Sequence, residues 1–221
     1  LFLKRFRQKT SKTPTCNLPT LNLKPEDSYF VPRKPYFKVH HTFDPKNLSV
    51  PECQGLLQSL VVPRPIALAS TVDKAGNVNL SPFSFFNLFS LNPPVVVFSP
   101  SRRGRDATTK HTLENVLEVP EVVINVVNHR IVEQTSLASV EYEKGVSEFV
   151  KAGFTPVKSE RVAPPRVAES PASLECRVTQ VLSLGEGGGA GNLVVCEVVL
   201  VHVDGAVLDT DGKRANPYLL D

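Results

Sequence analysis

The strongest chemical signal in the chain is a run of cations that ends where a helix should begin. Ser99-Pro-Ser-Arg-Arg-Gly-Arg-Asp106 places Arg102, Arg103 and Arg105 in one polar loop, and Lys110-His111-Thr112 follows at the head of an amphipathic stretch. The first amides of a helix have no intrahelical partner, and the helix dipole favours an anion there. Guanidinium, ammonium and hydroxyl groups at that position suit a phosphate better than a carboxylate. The same residues also suit a solvated basic loop, and the stretch alone leaves both readings open.

A second stretch, Asn79-Leu-Ser-Pro-Phe-Ser-Phe-Phe-Asn87, mixes aromatics with Ser81, Ser84 and Asn87. Pro82 removes one ladder donor, so a plain central strand is excluded. Such a segment can line a flat, polar-edged ligand, or it can be a strand with a proline bulge that packs Phe83 and its neighbours into a core. His202 sits in a β run before Asp204-Gly205 and faces either a site or the surface. His40, His41 and His129 have no partner legible in the sequence. Gly185–Gly191 is followed by no Gly-Lys-Ser/Thr and has the wrong context for a dinucleotide fingerprint. It reads as a mobile hairpin connection. There is no nucleophile elbow, no HExxH and no paired carboxylates with supporting context.

The elements that must position these residues follow from local signals. Pro63 and Pro65 frame Arg64 in an extended conformation. Ile66–Val72 reads as a strand, Asp73–Asn77 as a turn with Gly76 at positive φ, and the Ser/Phe stretch as the return strand. This hairpin carries Arg64 beside Ser81–Ser84. Val39–Phe43 is expected as a short strand and Leu48–Leu60 as a short helix. Pro93–Ser99 is expected as a buried strand, and 108–118 as a helix buried along Leu113, Val116 and Leu117. Glu121–Asn128 returns as a strand, and Arg130–Val150 reads as helical in two pieces around Gly145. Ala163–Ser173 is an extended linker; Ser173–Leu184 and Leu193–Val203 are long β runs, and Asp211-Gly212 marks a last turn. About six or seven strands joined mostly by hairpins predict a mainly β fold, an antiparallel barrel with inserted short helices.

Composition sets the outer limits. A chain of 221 residues accommodates one β-rich domain with an appendage. Its apolar runs are too short for a membrane span of ~20 residues. Cys16, Cys53, Cys176 and Cys196 show neither CxxC nor Cys/His metal spacing and fit a reducing compartment, hence a cytoplasmic location. Residues 1–39 hold nine Lys/Arg against two Asp/Glu, a charge of +7; the rest hold 16 against 20, a charge of −4. The first segment reads as a basic, proline-rich arm, either a solvated extension or a strap over a partner subunit and, less readily, a nucleic-acid contact. Its first 25 residues contain no acid, a composition shared with organellar transit peptides. The chain has no Met and does not begin with one, so a processed or truncated start is expected.

Taken together, Pro63-Arg-Pro-Ile66, Asn79–Asn87, Asn92-Pro-Pro94, the Arg-rich loop with His111-Thr-Leu-Glu-Asn115, Pro164-Pro-Arg-Val167 and Leu174-Glu-Cys176 resemble the flavin reductase-like, FMN-binding split-barrel family. The resemblance runs from about residue 40 to 221. It implies a split barrel with Greek-key features, a homodimer, and FMN held without a covalent bond near the dimer interface. Ser81, Pro82, Phe83 and Ser84 would lie along the isoalloxazine edge, with Arg64 and Thr71 on the adjacent strand. Ser99, Arg102, Arg103, Lys110, His111 and Thr112 would surround the phosphate and ribityl chain. The commoner family triplet is Lys-Asp-Thr, so His111 departs from it. His202 falls where a family histidine nears the flavin or nicotinamide. The family also continues past the equivalent of Leu220-Asp221 into an Arg/Gly-rich segment.

The activity implied is hydride transfer from NAD(P)H to flavin N5 and on to a small acceptor, with the flavin carrying the difficult chemistry. The protein then positions the rings and tunes the charge around them. A non-enzymatic FMN electron-transfer protein on the same barrel is the alternative. An oxidase of the pyridoxamine-phosphate type fits the motifs less well.

Overall fold

Ala67–Val72 (β1) is buried along its whole length, which is why it reads as an unbroken run of small and apolar residues. A computed structural model describes residues 40–143 and 145–220 of the chain. The chain divides into two compact units, Leu1–Phe43 and Asp44–Asp221, and every element below belongs to the second. The basic arm expected over residues 1–39 lies outside the described residues, as does Val39. Residues 40–43 form no strand, contrary to expectation.

β1 turns at Asp73–Asn77 into Val78–Phe83 (β2), paired antiparallel from Ala67↔Phe83 to Val72↔Val78. The Asp73 carboxylate accepts from the Ala75 and Asn77 amides, and Gly76 has φ +87°. The Ser/Phe stretch is more than a return strand. It bends at Ser84-Phe85 and continues as Phe86–Leu91 (β3), which pairs with Pro94–Phe98 (β4). Glu121–Val126 (β5), the short pair Pro156–Val157 (β6) and Arg166–Val167 (β7), and the long hairpin Ala172–Ser183 (β8) and Asn192–Val203 (β9) complete the strands. The main sheet has the order β2-β1-β5-β8-β9-β4-β3, with every pair antiparallel. β2 and β3 are consecutive in the chain yet stand at its two ends, so the sheet curls into a barrel that is split between them. Pro82 sits on an end strand, where its missing donor breaks no central ladder. Phe83 of β2 and Phe98 of β4 close the gap by side chains, with ring centroids 5.3 Å apart.

The helices are Val50–Leu60 (α1), His111–Glu118 (α2), Val132–Leu137 (α3), Glu148–Ala152 (α4) and Pro217–Leu220 (α5). α2 starts three residues later than expected because Asp106 holds Thr108 in a turn through its amide (3.0 Å) and hydroxyl (2.6 Å). Its buried stripe is also rotated: Thr112, Leu113, Asn115 and Val116 face inward, whereas Leu117 is 64% exposed. Thr112 and Asn115 face inward because each bonds a strand. Thr112 accepts from Asn79 at 2.9 Å, and Asn115 donates to Thr71 at 3.1 Å.

Two apolar clusters result. One fills the barrel under α2 and includes Ala67, Phe83, Phe98, Val116, Ile124 and Val194. The other joins Leu68 and Leu80 to Ile131, Phe149, Phe154 and Val167 on the opposite face of β1 and β2. Burial on both faces accounts for the absence of any charged or large polar residue from β1.

Candidate functional site

A cleft of about 380 Å³ opens over β2, between the start of α2, the Arg-rich loop and the segment joining α3 to α4. Side chains alternate along a strand, so Asn79, Ser81 and Phe83 share one face of β2. Asn79 and Ser81 line the cleft, and Phe83 lies in the core beneath Lys110, whose amine is 5.5 Å from its ring centre. Arg103, Arg105, Lys110, His111 and Thr112 form the cationic wall. Ser139, Glu141, Tyr142 and Glu148 face them.

The charges are unevenly satisfied. Arg103 pairs with Glu141 through Nε, and its other arm donates to the Thr109 carbonyl and, at 3.2 Å, to the Thr108 hydroxyl. Arg105 donates to Glu141 at 2.8 Å and to Asp106 at 3.1 Å. The Thr108 hydroxyl and amide hold Asp106 down to about 2, with help from Arg105. Lys110 makes no ion pair among the described residues. Burial lowers its pKa, and Arg103 lowers it further. No side chain caps α2 at Lys110. Among the described residues, a half-buried ammonium beside an uncapped helix start is therefore the principal unneutralised positive group of the cleft. Glu148 shows the opposite stress: burial raises its carboxyl, partly offset by the Leu80 amide at 3.0 Å, its own amide and His111.

Five expected site residues thus meet in the cleft: Ser81, Arg103, Lys110, His111 and Thr112. The others are not among its lining residues. Thr71 is fully buried and anchors α2 through Asn115. Phe83 is core, and Pro82 lies on the far side of β2. Arg64 donates to the Gln58 and Val61 carbonyls at 2.5 and 2.6 Å, capping the end of α1, and reaches Ser84 at 3.5 Å. Ser99 accepts from the Asn192 amide at 3.1 Å. Arg102 donates to the Ala107 carbonyl at 3.0 Å, and its Nε is buried without a partner among the described residues. His202 bonds Glu175 at 2.7 Å across β8 and β9. Burial pushes the Glu175 carboxyl up, but the Glu160 and Arg161 amides and His202 outweigh it, so the net shift is downward.

The glycine-rich loop turns out to brace the Arg-rich one. Arg102 N donates to the Ala190 carbonyl at 2.8 Å, and Gly189 N donates to the Arg102 carbonyl at 3.1 Å. A Cβ on Gly188 would stand 2.7 Å from the Gly104 carbonyl oxygen. Asn79, Glu141, Tyr142 and Glu148 were not identified from sequence. The alternation of β2 would have exposed Asn79 as the partner of Ser81; no local signal marks the other three. Among the described residues no group of three or more His, Cys, Asp or Glu is placed to hold a metal ion.

The model of the flavin reductase like domain matches residues 59–219. An uncharacterized protein of Halalkalibacterium halodurans is 39% identical over 179 residues, spanning 77% of this chain and 85% of that one. Nitrilotriacetate monooxygenase component B from Bacillus cereus superposes with a TM-score of 0.77 at 28% identity, covering 83% of this chain and 90% of the other. The flavoredoxin of Desulfovibrio vulgaris, at 22% identity, shares the fold with a TM-score of 0.62 over 73% of this chain and 80% of its own.

Proposed function

Since the chain belongs to the flavin reductase like family, whose fold serves flavin-related oxidoreductases, we propose that it binds FMN non-covalently, takes hydride from NADH or NADPH, and delivers it to a small acceptor. Lys110 carries the reading. A half-buried ammonium with no carboxylate partner, beside the uncapped start of α2 and next to Thr112, matches a phosphate by charge and by donor type. The donor set therefore fits a flavin phosphate.

In this reading Lys110, Thr112 and Arg103 hold the phosphate and ribityl chain, with His111 beside them, while Arg102 and Ser99 hold the Arg-rich loop in place from behind. Ser81 and Ser84 hydrogen-bond the ring edge, Pro82 and Phe83 shape the strand under it, and Arg64 fixes Ser84. Thr71 keeps α2 in register, and His202 is a candidate for the nicotinamide side. The flavin, when bound, supplies the two-electron chemistry. The chain's own part is to orient the rings, exclude water and place positive charge at the phosphate end.

We further propose a homodimer and an FMN-binding domain over 40–221 preceded by an arm over 1–39. The dimer is supported by β3, where Leu88, Phe89 and Leu91 are exposed, and by α1, which buries none of its residues. Among the described residues no helix is long and apolar enough to cross a membrane.

The binding half of the proposal is tested by flavin fluorescence titration with FMN and with riboflavin, which lacks the phosphate. The intact chain should prefer FMN. Lys110→Ala should lose roughly tenfold to a hundredfold of FMN affinity, the worth of a charge-assisted hydrogen bond, and leave riboflavin affinity unchanged. Equal binding of FMN and riboflavin by the intact chain would contradict the phosphate assignment.

A further inference from the structure

Glu141 holds both guanidinium groups that line the cleft. One carboxylate oxygen meets Arg103 Nε and the other meets Arg105 at 2.8 Å. Glu141 comes from the wall opposite the Arg-rich loop, so the pair bridges the cleft instead of bracing one side of it. We propose that Glu141 is an internal competitor for the anion site, a carboxylate that shares the donors Arg103 and Arg105 with a ligand phosphate and thereby sets how strongly the chain discriminates phosphorylated from unphosphorylated flavins. The proposal rests on the FMN reading above.

The exposures of the partners fit an exchange. The Arg103 side chain is 15% exposed, so leaving it unpaired would be costly. Glu141 is 42% exposed and Arg105 67%, so their mutual contact is a cheap one to break. A phosphate arriving at Arg103 replaces one anionic oxygen by another, and the buried guanidinium stays neutralised throughout. The displaced carboxylate has water to enter. Lys110 has no such competitor among the described residues, so the cleft contains one cation open to the ligand and a pair already occupied. No bond is made or broken in this exchange; only ion pairs change partners.

Glu141→Gln keeps the side chain's length and one acceptor while removing its charge. FMN affinity should rise about two- to fivefold, the range expected on removing a partly exposed ion pair that competes with binding. Riboflavin affinity should stay as in the intact chain, so the ratio between the two flavins widens. Glu141→Ala should move the ratio in the same direction. A fall in FMN affinity in both variants would identify Glu141 as a positioning residue for Arg103 and overturn the competitor role. An unchanged ratio would overturn it as well, while the intact chain's preference for FMN left the functional reading standing. Failure of the intact chain and both variants to bind FMN would remove both.

Discussion

At the residue scale the cleft is built from two groups under opposite stress. Burial disfavours the charge on Lys110 and the charge on Glu148 alike, but only Glu148 has its hydrogen bonds supplied from within. The raised Glu148 carboxyl means that the folded chain binds a proton more tightly there than the unfolded chain does. Its favourable contribution to stability is fully present below the ordinary carboxylate range and is lost as pH rises through its raised value. Glu148→Gln keeps an acceptor for the Leu80 amide without the titration. Thermal unfolding midpoints of the variant should fall less steeply than those of the intact chain as pH rises from acid toward neutrality. Parallel curves would show that Glu148 is not the group responsible. Lys110, His111 and Thr112 were legible in sequence because they are contiguous and head a helix. Glu141 and Glu148 were not: their partners lie 38 and 68 residues away in the chain, and nothing local in a Glu predicts a distant contact.

At the element scale the Arg-rich loop is held from behind. The glycine hairpin between β8 and β9 approaches its backbone so closely that a side chain at Gly188 would collide with main chain. Gly188→Ala should destabilise the chain by about 1–3 kcal/mol, the usual cost of overpacking. It should also weaken FMN binding by displacing Arg103 and Gly104. Calorimetry and flavin titration on one preparation check both; an unaltered midpoint would mean that the two loops separate freely. Sequence excluded a P-loop here on context, correctly as far as the motif goes, yet glycine content cannot say which backbone will approach it. The same limit explains α2. Period alone placed Leu117 inside, but the bonds from Thr112 to Asn79 and from Asn115 to Thr71 turn the helix the other way.

At the scale of the whole molecule the fold was readable because most of it is local. β1–β2 and β8–β9 are hairpins joined by recognisable turns, and their apolar residues, chiefly Val and Leu, mark them before any contact is known. The unexpected strand β3 was hidden inside a stretch whose aromatics read as one element. Its bend at Ser84-Phe85 takes the chain from one end of the sheet to the other and creates the split that Phe83 and Phe98 close. Lys110 lies over Phe83 beside that closure, at the edge of the cleft over β2. The most direct check is the visible spectrum of the chain after incubation with FMN and desalting, followed by anaerobic NADH and then NADPH. Flavin bands that survive desalting and bleach with either nicotinamide are expected. Bands that survive but bleach with neither would make the chain an electron carrier, and loss of all flavin on desalting would contradict FMN binding at the Lys110 cleft.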